Sequence, residues 1–322
     1  MCSLKSVVLR KFISQRCFHT TQIRMIDPKT VEEIKIPVPW GHIAGKWWGK
    51  KNIQPVIAVH GWQDNAGSWD PLAELMPDDY SILAIDLPGN GRSSHLPRFQ
   101  NYYFNDAVAI MRRIKRYFNW EKVDTLGHSG GSAVCFLYAA VFPEDVKSYF
   151  GIDFLIGCHA DEEKKAAKIG ETIDKKLKLA LRDHSASNRY TWEEAKNAWI
   201  KATKDSLDER TAEILMKRGL DKLPDGKYII SRDHRLKGAD INLLNHQQLY
   251  VLADNANVHV RLVRGSKSRF FNGGLKYCPD ILNILQKKAK SYKLYDLDGK
   301  HHLHMDIPEK IVPLLIEALN AK

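Results

Sequence analysis

The spacing of apolar and polar positions changes several times along the chain, and each change marks an element. Pro55-Val56-Ile57-Ala58-Val59 is an unbroken apolar run that stops at His60-Gly61, the pattern of a buried strand entering a loop. Tyr80-Ser81-Ile82-Leu83-Ala84-Ile85 repeats it and is closed by Asp86-Leu87-Pro88-Gly89-Asn90-Gly91. A helical stretch over 105–118 leads to a third strand, Val123-Asp124-Thr125-Leu126. Gly127-His128-Ser129-Gly130-Gly131 follows, then a small-residue helix from Ser132 to Val141, stopped by Pro143, and a strand from Val146 to Phe154. Strands alternating with helices predict a parallel sheet covered by helices on both faces, an α/β architecture.

Between about 155 and 253 the alternation breaks. This stretch is rich in Lys and Glu and reads as helices around 161–182, 191–202, 207–218 and 242–252, with a turn at Pro224-Asp225-Gly226. The strand pattern resumes at Val258–Val263 and Ser291–Leu297, and a last helix covers 311–320. The simplest organisation is one α/β domain over 27–322 carrying a helical cap inserted at about 155–253.

Composition narrows the classes. The chain has 322 residues, 44% apolar and 27% charged, which excludes collagen-like, low-complexity and disordered readings. The net charge of +11 is uneven: Lys5, Arg10, Lys11, Arg16 and Arg24 fall in the first 26 residues, which hold no Asp or Glu. About half the excess therefore belongs to the leader, and no nucleic-acid partner is expected. The leader's basic, acid-free, hydroxyl-bearing character fits a mitochondrial transit peptide; the alternative is a frayed extension of a cytoplasmic protein. No apolar run approaches the ~18–20 residues that span a bilayer. The five cysteines (Cys2, Cys17, Cys135, Cys158, Cys278) show no CxxC spacing, as expected of free thiols in a reducing compartment.

Three segments carry chemistry. In Gly127-x-Ser129-x-Gly131, a strand turning sharply into a helix needs small residues on either side of an exposed, nucleophilic serine; the alternative is a plain helix-start turn with Ser129 as its cap. The second is His60-Gly61-Trp62, after the first sheet strand. Oxyanion donors come from the residue after the nucleophile and from such an early loop, which points to Gly130 and Trp62; His60 reads as a loop-shaping residue. Gly299-Lys300-His301-His302-Leu303-His304-Met305-Asp306-Ile307-Pro308, after the last strand, offers three candidate general bases in the right chain order. A metal reading of these histidines lacks a carboxylate or cysteine at ligand spacing, so no metal is expected.

VHGWQDNAGSW, IDLPGNGRSS, LGHSGGS and GKHHLHMDIPE, in that order, resemble the α/β-hydrolase superfamily, and within it the animal serine hydrolase-like proteins, including the kraken-type enzymes of insects. The resemblance covers roughly 35–155 and 255–320. It implies a mostly parallel eight-stranded sheet, a Ser–His–acid triad and ester hydrolysis without a cofactor. In such hydrolases the catalytic His precedes an acid by five positions and a Pro by seven, so Asp306 and Pro308 select His301. The commonest acid position, after the penultimate strand, is not acidic here: Gly265-Ser266-Lys267-Ser268 occupies it, and 255–279 holds no Asp or Glu. The superfamily's other position is the strand end after the nucleophile helix, where Asp153 stands; its bland alternative is a structural cap, and Asp298 lies too near His301 along the loop.

The expectation is a serine hydrolase, carboxylesterase-like, acting on a small-molecule acyl substrate. Ser129 is the nucleophile, His301 the base and Asp153 the acid; Trp62 and Gly130 form the oxyanion hole. Tyr190, Trp192 and Trp199 of the cap suggest an apolar acyl or alkyl group. Another class remains open: a non-catalytic α/β-hydrolase-fold protein binding a small apolar ligand, distinguished by a triad acid that never reaches His301. Arg261, Arg264, Lys267 and Arg269 form a basic set read as surface solubility.

Overall fold

A computed structural model describes residues 30–103, 105–153, 167–182, 188–204, 206–238, 244–268 and 279–321. The leader and residues 154–166 of the cap therefore lie outside the described residues, as do Cys2, Cys17, Cys158, Cys278 and Arg269.

The strands are β1 (Val31–Val38), β2 (Gly41–Trp48), β3 (Val56–Val59), β4 (Ile82–Ile85), β5 (Val123–His128), β6 (Val146–Ile152), β7 (Leu220–Lys222), β8 (Tyr228–Ile230), β9 (His259–Gly265) and β10 (Ser291–Leu297). Eight of them form one sheet in the order β1-β2-β4-β3-β5-β6-β9-β10. β1 pairs antiparallel with β2 and β2 with β4; every other neighbour is parallel. β3 and β4 are buried along their whole length, as continuous apolar runs in a doubly covered sheet require.

The helices are α1 (Asp70–Leu75), α2 (Asp106–Tyr117), α3 (Gly130–Val141), α4 (Ile169–Ala180), α5 (Trp192–Ala202), α6 (Glu209–Gly219), α7 (His246–Asn255), α8 (Pro279–Lys288), α9 (Leu303–Asp306) and α10 (Pro308–Leu319). One sheet face packs against α2, α3, α7 and α8, through side chains such as Met111, Phe136, Leu249 and Leu285. The other packs against α1 and α10 through Leu72, Ile311 and Leu315. The cap has a small core of its own, Ala195, Trp199, Leu207, Ala212, Leu215 and Met216, which also takes in Met305 of α9. The helix expected over 242–252 begins at His246 and shares its buried Leu249 and Ala253 with the core around α3. It belongs with the sheet rather than with the cap.

Two arginine-centred clusters tie the segment between β6 and β9 to the loops and strands that precede it. Arg218, in α6, donates from Nε to Asp86 Oδ2 at 2.7 Å and from Nη1 to Glu33 Oε1 at 2.6 Å. Asp86 also accepts from the backbone N–H groups of Ala66 and Arg92, so the buried carboxylate is fully occupied. Farther along, Arg235 spans Asp233 and the carbonyls of Leu96, Pro97 and Gln100. Tyr102 donates to the same Asp233 at 2.9 Å.

Candidate active site

The site is assembled at the carboxyl ends of the central parallel strands. Ser129 sits between β5 and α3 with φ 50° and ψ −119°, a conformation L-residues rarely adopt and one that costs about 1–3 kcal/mol. Hydrogen bonds hold it there: Ser129 N donates to Ile152 O at 2.9 Å, and Ala133 N to Ser129 O at 3.2 Å. The flanking glycines are required by crowding. A Cβ at 127 would stand 2.5 Å from Gly131 O, and one at 131 would collide with the carbonyls of Val59 and His60.

Gly130 follows the serine, and a Cβ on it would stand 3.4 Å from Trp62 N, so the backbone at 62 runs directly beside that at 130. The loop's shape is held by His60, which donates from Nδ1 to Gly61 O at 2.7 Å and accepts at Nε2 from Leu87 N at 3.1 Å. Both ring nitrogens are thereby engaged in backbone contacts.

At the end of β6, Asp153 takes φ 52°, which turns its carboxylate under the final loop. His301 Nδ1 and Asp153 Oδ2 are 2.5 Å apart, and Asp153 Oδ1 accepts from Gly265 N at 2.8 Å. Burial pushes Asp153 up to about 7 against the downward pull of the Ser268 hydroxyl and the Gly265 N–H. Burial, reinforced by His128 and His302, holds His301 well below the ordinary imidazole range, the neutral form a general base needs. Asp298 points elsewhere: it is exposed and pairs with Ser266 and Lys267.

A cavity of about 540 Å³ reaches Trp62 and Gly130 and is walled mainly by Leu87, Leu96, Phe99, Tyr102 and Leu236. Tyr190, Trp192 and Trp199 do not line it; they pack within the cap's own core. This corrects the expectation that cap aromatics shape the acyl pocket. Its aromatic lining comes instead from Phe99, Tyr102 and Tyr103 of the loop before α2, with Trp40 and Trp62. Among the described residues the basic set is paired: Arg261 with Ser291 of β10 and Glu317 of α10, Arg264 with Asp296 of β10, and Lys267 with Asp298 just after that strand.

Sequence reasoning missed Asp64. It is buried with His128 and His302 around it, and only the fold brings the three together. It also missed the Asp86–Arg218 and Asp233–Arg235 ties, whose partners are 132 and 2 positions apart.

Sheet order, the strained serine after the central strand and the histidine–carboxylate pair at the strand ends define an α/β hydrolase. A family model described as the alpha/beta hydrolase fold matches residues 54–225, and the chain belongs to this family, in its serine hydrolase-like branch. It is 37% identical to the "Probable serine hydrolase" of Drosophila melanogaster over 92% of this chain and 90% of that one. It is 30% identical to the "Serine hydrolase-like protein" of Danio rerio, over 97% and 94%. Among solved structures, a hypothetical protein of Pseudomonas aeruginosa PAO1 superposes with a TM-score of 0.77 at 28% identity, covering 90% of this chain and all of that one. The thioesterase domain from the curacin biosynthetic pathway shares the fold, with a TM-score of 0.74 at 21% identity over 89% and 99%.

Proposed function

We propose that this hydrolase cleaves a carboxylic ester, or a related acyl compound, through an acyl-enzyme on Ser129. The observation that carries the reading is the hydrogen bond between Asp153 Oδ2 and His301 Nδ1. It fixes the tautomer in which Nε2 is free to take a proton. His301 accepts the Ser129 proton as Oγ attacks the acyl carbon, and Asp153 stabilises the imidazolium that forms. The N–H groups of Trp62 and Gly130 receive the charge on the carbonyl oxygen. His301 then returns the proton to the leaving alcohol, and water, activated by the same imidazole, releases the acid. The apolar cavity beside Trp62 and Gly130 supports an apolar acyl or alkyl group of moderate size.

A non-catalytic ligand-binding role would leave the acid out of reach of His301, so the short Asp153–His301 contact favours catalysis. Labelling with a fluorophosphonate tests the proposal: wild type is expected to label, and Ser129→Ala to lose both labelling and p-nitrophenyl ester hydrolysis while melting normally. Esterase activity that survives in Ser129→Ala would refute the assignment. The basic leader supports import into mitochondria; residues 1–30 fused to a fluorescent reporter are expected to localise there, and diffuse cytosolic signal would reject that reading.

A further inference from the structure

Directly behind His301 lies a buried group of side chains that the hydrolytic mechanism does not use. His128 Nε2 is 2.9 Å from the carbonyl oxygen of His301. A carbonyl only accepts, so Nε2 carries the proton, and in a neutral ring Nδ1 presents a lone pair. That lone pair faces a carboxylate, Asp64 Oδ2, at 3.6 Å, and has no hydrogen-bond partner among the described residues. The same Asp64 oxygen lies 3.5 Å from His302 Nε2, and the three atoms are all within 4.8 Å of one another. An imidazolium–carboxylate pair would close to about 2.7–2.9 Å. The observed separations are too long for that.

They fit a different geometry. Four ligands at the usual Zn–N and Zn–O distances of about 2.0–2.2 Å stand about 3.3–3.6 Å apart at the edges of a tetrahedron. Two of the three edges here, 3.5 and 3.6 Å, already have that length. We propose that Asp64, His128 and His302 form a binding site for a divalent transition-metal ion of the zinc class. Two imidazoles and one carboxylate suit such an ion and not magnesium or calcium, which take oxygen ligands.

The surroundings complete the case. Each histidine's other ring nitrogen has an outer contact that orients it, His128 on the His301 carbonyl and His302 on Ser206 Oγ at 2.7 Å. Gly61 leaves the space beside the ligands open: a Cβ there would stand 2.7 Å from Asp64 Oδ2 and 2.8 Å from His128 Nδ1. The final loop alone offered no carboxylate at ligand spacing. Asp64 enters from the loop after β3. Because a ligand adjoins His301 and another holds its carbonyl, a bound ion would brace the segment that carries the base.

The test is calorimetric titration of the full-length protein, stripped with EDTA, with Zn²⁺ alone, and the visible spectrum with Co²⁺ in its place. One ion per chain is expected, with a raised melting temperature and the intense d–d absorption of four-coordinate cobalt. Asp64→Asn and His302→Gln should each weaken binding by at least about 100-fold, and Ser206→Ala, which leaves the ligands intact, by about 10–100-fold. Ser129→Ala should bind as wild type does, which separates this site from the hydrolytic reading. Failure of wild type to bind Zn²⁺, or binding unchanged in Asp64→Asn, His302→Gln and Ser206→Ala, would overturn the proposal.

Discussion

Asp153 and His301, 148 positions apart in the chain, meet at 2.5 Å, and the carboxylate's second oxygen is held by the Gly265 N–H. Under the proposed mechanism the acid comes from the end of β6, while the last residue of β9 supplies a backbone donor and the turn after it the Ser268 hydroxyl. Asp153→Asn should preserve the packing but favour the wrong imidazole tautomer. By analogy with the chymotrypsin-type triad, kcat should fall by up to ~10⁴-fold. Asp298→Asn should change kcat less than about twofold, because its partners are exposed Ser266 and Lys267. Steady-state hydrolysis of a p-nitrophenyl ester by the two variants checks both numbers.

The pH profile follows from the same pair. The competent state has Asp153 ionised and His301 neutral. Burial raises Asp153 to about 7, so protonation of the pair removes that state as pH falls through the neutral range. In the presence of EDTA, kcat/KM should be high above pH 8 and decline about tenfold per unit well below 7. A profile flat from pH 5 to 8 would contradict this. Stability runs the other way for this carboxyl: its folded-state value is raised, so its contribution is present at acid pH and is lost as pH climbs from about 4 to 7.

The elbow glycines give a stability prediction. Gly131→Ala places a methyl group against the backbone of Val59 and His60, which belongs to the sheet and the loop after β3 and cannot yield cheaply. A loss of about 1–3 kcal/mol is expected in chemical denaturation, with reduced labelling of Ser129 in the folded fraction. Gly226→Ala is the comparison: nothing lies within 4 Å of a Cβ there, so only its φ of 80° resists the change.

The Arg218 clasp is the third stability element. Removing one partner of a buried ion pair leaves a charge uncompensated, so Arg218→Met should cost about 3–5 kcal/mol. Urea denaturation of wild type, Arg218→Met and the double variant Arg218→Met/Asp86→Leu measures it; recovery in the double variant would locate the cost in the stranded carboxylate.

Much of the fold was legible because its central strands are unbroken apolar runs ending in Gly-bearing loops, as in Val56–Val59 before His60-Gly61. Ser291–Leu297 is a strand with the bounds that its pattern predicts. β1 and β2 were not read. In β1, Glu32, Glu33 and Lys35 interrupt the apolar positions, since an edge strand exposes most of its side chains. α1 is six residues long, too short for a period to show. The serine announces itself locally through the glycines around Ser129, and the final loop offers three histidines, of which the family resemblance selects His301 by the spacing of Asp306 and Pro308. Asp64 and Arg218 have no such local signature, because what makes them significant is a neighbour distant in sequence.

Arg235 gives the cavity a property of its own. Its guanidinium reaches three carbonyls of the loop that carries Leu96 and leads to Phe99 and Tyr102, while Asp233 holds both the arginine and the Tyr102 hydroxyl. A wall fastened in that way acts as a ruler rather than a glove. Along a series of substrates of growing chain length, turnover should stay level while the chain fits and then drop sharply within one or two carbons.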